Sequence, residues 1–140
     1  MNVFLDTNIL IDVIENREGT VFAKQLLQLG KDKKINIYAS FLSFANINYI
    51  KRGVERTLRY NMICRLRHSI TVLNCEADQL DTALAHDDVR DFEDLLQYQC
   101  AVAGCCDVVV TNNKKDFLEF CELPLMSSRE FLLYYFSHQQ

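Results

Sequence analysis

Three aspartates stand close to where strongly apolar sequence begins or breaks off. Asp6 follows the run VFL, Asp94 opens the stretch LLQYQC, and Asp116 comes shortly after VVVTNN. A fourth oxygen donor, the amide of Asn46, lies inside the apolar segment FLSFANINYI. Carboxylates drawn together repel, and one of them is forced to keep a proton unless a counter-charge arrives. A hard divalent cation supplies that charge. The donors are oxygens only, with no His or Cys at ligand spacing, which suits Mg²⁺ or Mn²⁺ rather than zinc. Hydrolysis of a phosphodiester is the chemistry such a centre serves. Spacing alone also admits three unrelated solvated acids.

Several residues can support the three. Asp91 lies one helical turn before Asp94, on the same face, where it reads as a helix N-cap. Thr7 and Asn8 follow Asp6, Thr111 and Asn113 follow the VVV run, and Ser43 with Asn46 forms an i, i+3 polar stripe on an otherwise apolar helix. Arg52, Arg56 and Arg59 are expected on one face of a helix, either holding phosphates of a polyanion or simply solvated. Tyr38, Tyr49 and Tyr60 read as base-stacking platforms or as core. His68, His86 and His138 pair with no nucleophile.

Positioning such residues requires strands that end together. Residues 2 to 6 read as a buried strand, residues 8 to 15 as a helix, and Thr20 as the cap of a second helix with Val21, Leu26 and Leu29 on its apolar positions. INIYA is a strand, and Ser40 caps FLSFANINYI. Gly53 separates that helix from a basic one over 54 to 67. ITVL, VVVT and PLM are further strands. Helices are expected near 76 to 86, from Asp91 to Gly104 with Phe92, Leu95 and Leu96 directed inward, around Asp116, and from Ser128. Strands alternating with helices imply parallel pairing and a three-layer α/β/α sandwich around a central parallel sheet. In such sheets ligands bind beyond the carboxyl ends of the strands, which is where Asp6 and Thr111 fall.

At 140 residues with 49% hydrophobic content, the chain has the size of one domain spanning 1–140, able to bury a core without staples. No apolar stretch approaches the roughly 20 residues that span a bilayer, and the start lacks a signal-peptide pattern, so a cytoplasmic protein is expected. Six cysteines without C-x-x-C spacing read as small apolar residues in a reducing compartment. The net charge of −4 is unevenly spread. Residues 51 to 67 carry six Lys and Arg against Glu55, while residues 76 to 94 carry eight acids against Arg90.

FLDTNILID, ASFLSFANINYI, DFEDLLQYQCAVAGCCDVVVTNNKKDF and LPLMSSREFL, in this order, resemble the PIN domain in the lineage that includes VapC-type toxins. The resemblance covers nearly the whole chain. It implies an α/β/α fold and a metal-dependent ribonuclease, with Asp6, Asp94 and Asp116 as catalytic acids binding Mg²⁺ or Mn²⁺. It further implies RNA as substrate, a small antitoxin as partner, and a homodimer formed through the first two helices. Many relatives carry Glu where this chain has Asn46, which offers one neutral oxygen and no charge. That departure leaves open a degenerate module that binds RNA or a protein without cutting.

Overall fold

The computed structural model describes residues 1–139. Its elements in chain order are β1 (Asn2–Leu5), α1 (Thr7–Ile14), α2 (Thr20–Lys31), β2 (Asn36–Ser40), α3 (Phe41–Ile50), α4 (Arg56–His68), β3 (Thr71–Leu73), α5 (Ala77–Leu84), α6 (Phe92–Ala103), β4 (Val108–Val110), α7 (Lys114–Phe117), β5 (Leu125–Met126) and α8 (Ser128–Ser137). All strand pairs are parallel, in the order β3-β2-β1-β4-β5. The order reverses at β1. The carboxyl ends of β1 and β4 therefore meet at the place where an open sheet offers a crevice.

Alternation along the strands divides the core in two. Val3 and Leu5 of β1, Ile37 and Ala39 of β2, and Val108 and Val110 of β4 pack on one face with α1, α2 and α8 and with Ile47 and Leu66 of α3 and α4. Phe4, Tyr38 and Val109 point the other way, against Tyr98, Cys100 and Ala101 of α6 and Phe117 of α7. A period of two on strands buried on both faces gives this separation. The three layers expected from the sequence are present.

Helix starts follow their caps. Asp91 accepts from the Asp94 amide at 3.1 Å, and Ser127 with Glu130 forms a capping box at α8. Arg65, Arg67 and His68 fill the last turn of α4, where cations complement the helix dipole.

Some expectations are corrected. Gly19, not Thr20, is the N-cap of α2. The Thr20 hydroxyl instead accepts from the Arg17 amide and donates to the Glu15 carbonyl, closing the turn before the helix. Val21 is 61% exposed, and Phe92 is exposed rather than directed inward, while Asp94 and Leu95 in the same turn of α6 are buried. Ser40 occupies the N-cap position of α3, but its hydroxyl is drawn away to Gln97. Arg52 lies in the turn after α3, so it shares no helix with Arg56 and Arg59.

The cysteines also differ from expectation. Cys75 and Cys100 are joined by a disulfide with Cα atoms 5.9 Å apart, and Cys64 and Cys105 are exposed. The pair is 25 residues apart in sequence. Packing of α5 on α6 brings the two residues together, which spacing along the chain does not reveal.

Candidate metal centre

Asp6 ends β1 and caps α1, so its carboxylate is fixed by the backbone itself. One oxygen accepts from the Thr7 amide at 2.8 Å. The other accepts from the Thr111 hydroxyl at 2.8 Å and from the Asn8 amide at 3.1 Å. Thr111 reaches across from β4 because β1 and β4 pair with Leu5 opposite Val110. Its hydroxyl also accepts from the Asn113 backbone at 3.1 Å. Burial pushes the Asp6 carboxyl up to about 6, against the Thr111 and Thr7 hydrogen bonds, with Glu93 and Asp91 adding repulsion.

Asp94 presents a different condition. The residue is 7% exposed, and its carboxylate has no hydrogen bond or ion pair among the described residues. Burial first, then the charges of Asp6, Asp91, Glu93 and Asp116, pushes it up to about 8. Its oxygens open only onto a cleft, and a carboxyl held there without a donor, facing like charges, is costly unless a proton or a cation is present. Asp6, Asn46, Asp91, Glu93, Asp94 and Asn113 line one cleft of about 360 Å³, with Thr7, Asn8 and Tyr49 among its other walls. Carboxylate oxygens of Asp91, Glu93 and Asp94 lie within 4.8 Å of one another.

Asp116 is placed beside this cleft rather than in it. It opens on a smaller hollow of about 160 Å³ with Arg90, Asp91, Lys115 and Glu119. Asp91 lines both, so it stands between Asp116 and the larger cleft.

Behind the acids runs a buried polar network that sequence reasoning missed. The Gln97 side chain, fully buried, donates to Ser43 at 3.1 Å, to Thr7 at 3.2 Å and to Glu93 at 3.3 Å. Its own oxygen accepts from Ser40, and Thr7 and Ser43 bond to each other at 2.8 Å. Four elements, α1, β2, α3 and α6, are thus joined through one amide. The available signal was a glutamine in an apolar stretch four residues after Glu93. Ser43 is wholly inside this network, while Asn46, one turn on, reaches the cleft and donates to Glu93 at 2.6 Å.

The arginines diverge. Arg59 is spent on structure, donating to Asn48 and to the carbonyls of Arg52 and Val54. Arg52 lies 4.1 Å over the ring of Tyr49, a 65% exposed wall of the cleft, and Arg56 lies 4.9 Å over Tyr60. Tyr38 belongs to the core.

No helix among the described residues is long and apolar enough to cross a membrane. Similar solved structures share the architecture. A chain of VapBC-1 from nontypeable Haemophilus influenzae superposes with a TM-score of 0.70 at 22% identity, over 92% of this chain and 99% of that one. A chain of VapBC2 from Rickettsia felis, bound to a DNA fragment from their promoter, gives 0.69 at 22% identity, over 89% and 97%. A chain of a toxin-antitoxin complex from Klebsiella pneumoniae gives 0.64 at 19% identity, over 90% and 97%. No curated protein matches in sequence. The family model for the PIN domain matches residues 2–115, most of the chain and all of the acidic cleft, and the chain belongs to the PIN domain family.

Proposed function

We propose that the protein is a Mg²⁺- or Mn²⁺-dependent endoribonuclease whose metal is held by Asp6 and Asp94. The observation that carries this reading is the carboxyl of buried Asp94, unpartnered among the described residues and turned into a cleft of further acids. The donor set fits a hard cation: every candidate ligand offers oxygen, and Asp6 already has its orientation fixed by Thr7, Asn8 and Thr111. When bound, such a cation supplies Lewis acidity that polarises a phosphodiester and acidifies water.

The remaining work belongs to the chain. The hydrogen bonds on Asp6 offset part of the effect of burial, and with its carboxyl at about 6 it still meets a cation as an anion near neutral pH. Asp91, fixed as a cap, adds negative charge at the mouth, and Asp116 adds it from the neighbouring hollow. Arg56, and Arg52 where it lies over Tyr49 and donates to the Tyr49 carbonyl at 2.9 Å, are exposed cations for RNA phosphates, and Tyr49 stands at the rim of the cleft. Arg59 positions the turn that carries Arg52.

The same reading includes a small antitoxin. VapBC and toxin-antitoxin complexes are what the similar structures are described as. A groove of about 480 Å³ between α1, α2 and α4, floored by Ile14, Leu27, Met62 and Leu66 and rimmed by Lys24 and Arg65, suits an acidic amphipathic segment. A homodimer through α1 and α2 is proposed as well, and a monomer mass in light scattering at micromolar concentration would remove it.

Cleavage of single-stranded RNA by the purified protein is expected with Mg²⁺ or Mn²⁺ and not with EDTA. Asp6→Asn should lower the rate at least about a hundredfold with an unchanged circular dichroism spectrum. Wild-type cutting by this variant sinks the centre. Metal binding without cutting by the wild type would instead identify a binding module.

A further inference from the structure

Helix α3 contributes to the cleft a neutral amide, Asn46, and that amide does not point its nitrogen at open space. It donates to Glu93 Oε1 at 2.6 Å, and the same oxygen accepts from Gln97 at 3.3 Å. A glutamate on the exposed first turn of a helix ordinarily keeps its rotamer freedom, because fixing it costs conformational entropy. Glu93 is instead pinned by two amides, one of them anchored in the buried network of Ser40, Thr7 and Ser43. The result is a carboxylate whose oxygen lies within 4.8 Å of those of Asp91 and Asp94, beside the unpartnered side chain of Asp94, a residue 7% exposed. Nothing about holding the fold together requires a third acid there. Electrostatics opposes it unless a cation is shared.

We propose that Glu93 is a ligand of the divalent cation, and that Asn46 and Gln97 are positioning residues that aim it, Asn46 itself lying outside the coordination shell. This rests on the metal centre proposed above. The helix periodicity that separates Glu93 from Asp94 by about 100° is overcome by the side chain: Glu is long enough to swing back, and the two amide donors fix it in that direction.

Calorimetric titration with Mn²⁺, with thermal melts to confirm folding, tests the assignment on five proteins: wild type, Asp94→Asn, Glu93→Gln, Asn46→Ala and the double variant Asn46→Ala/Glu93→Gln. Glu93→Gln should weaken Mn²⁺ about tenfold, and Asn46→Ala a few-fold, since a charged ligand matters more than its orienting partner. The double variant should bind like Glu93→Gln alone, because an amide that acts only through Glu93 has nothing left to aim. Wild-type affinity in Glu93→Gln overturns the proposal, as does a double variant whose loss is the product of the two single losses, which would make Asn46 an independent ligand. Failure of the underlying centre looks different: no Mn²⁺ binding by the wild type, or wild-type affinity in Asp94→Asn, removes the centre and this proposal with it.

Discussion

Two buried aspartates on opposite faces of the sheet are treated in opposite ways. Asp12, on α1, is 1% exposed and fully answered: Arg17 pairs with one oxygen and Asn112 donates to the other at 2.8 Å. Gly19 leaves room for it, since a Cβ there would collide with its carboxylate. Asp94, on α6, is buried nearly as well, and what surrounds it is Asp6, Asp91, Glu93 and Asp116. Both are carboxylates beside clefts, yet one is complete and the other lacks its counter-charge. Buried charge by itself identifies nothing; the missing partner is what sets Asp94 apart from a structural acid such as Asp12.

Removing a partner from the complete site should cost the most. Arg17→Ala leaves Asp12 buried without its cation, and an expected loss of about 3 kcal/mol should appear in urea unfolding, moderated by the partial exposure of Arg17. A loss below about 0.5 kcal/mol would make Asp12 as unanswered as Asp94 and erase the contrast. Gln97→Met, which strips the donor shared by Thr7, Ser43 and Glu93, should cost about 2 kcal/mol, because buried hydroxyls lose their partner. A neutral result would mean that the network contributes no net stability.

Neutralising the incomplete site should act in the other direction. The native carboxyls of Asp94 and Asp6, raised to about 8 and about 6, keep protons that the unfolded chain gives up near pH 4. Metal-free stability is therefore undiminished below pH 4 and falls as pH rises through 6 and 8. Asp94→Asn removes the larger part of that fall. At pH 8 without metal it should melt a few degrees above wild type, and the advantage should vanish near pH 4. Millimolar Mg²⁺ should raise the wild-type midpoint more than that of the variant. Identical metal shifts in both proteins would reduce Asp94 to an ordinary acid.

The contrast also marks what a sequence can disclose. Strand and helix order was readable because apolar runs and helical periods alternate along the chain, with caps such as Asp91 and Ser127 marking some starts. Only boundaries such as Gly19 for Thr20 moved, where a turn competed for the hydroxyl. Asp6 and Thr111 were legible because parallel strands end together. Glu93 was not, since helix geometry directs it away from Asp94 and only the amide of a distant helix brings it back. Gln97 and the Cys75–Cys100 pair were hidden for the same reason: their partners are far along the chain, and nothing local depends on them. Arg59 read as a phosphate ligand or a solvated charge, because positive charge on a helix looks alike whether solvated or hydrogen-bonded.

The bond between Cys75 and Cys100 encloses all eight acids of residues 76 to 94, with Arg90 the one Lys or Arg among them. In the rest of the chain Lys and Arg outnumber Asp and Glu, although the whole molecule is acidic. The protein is in effect a basic body with an anionic clasp fastened to it. Its dipole, more than its net charge, governs what a polyanion feels on approach: attraction to the body and rejection by the clasp orient the strand before any contact is made. Opening the clasp with a reductant unties Cys75 from α6 and leaves the negative segment held only by its chain ends and its packing, with sequence, composition and total charge unchanged.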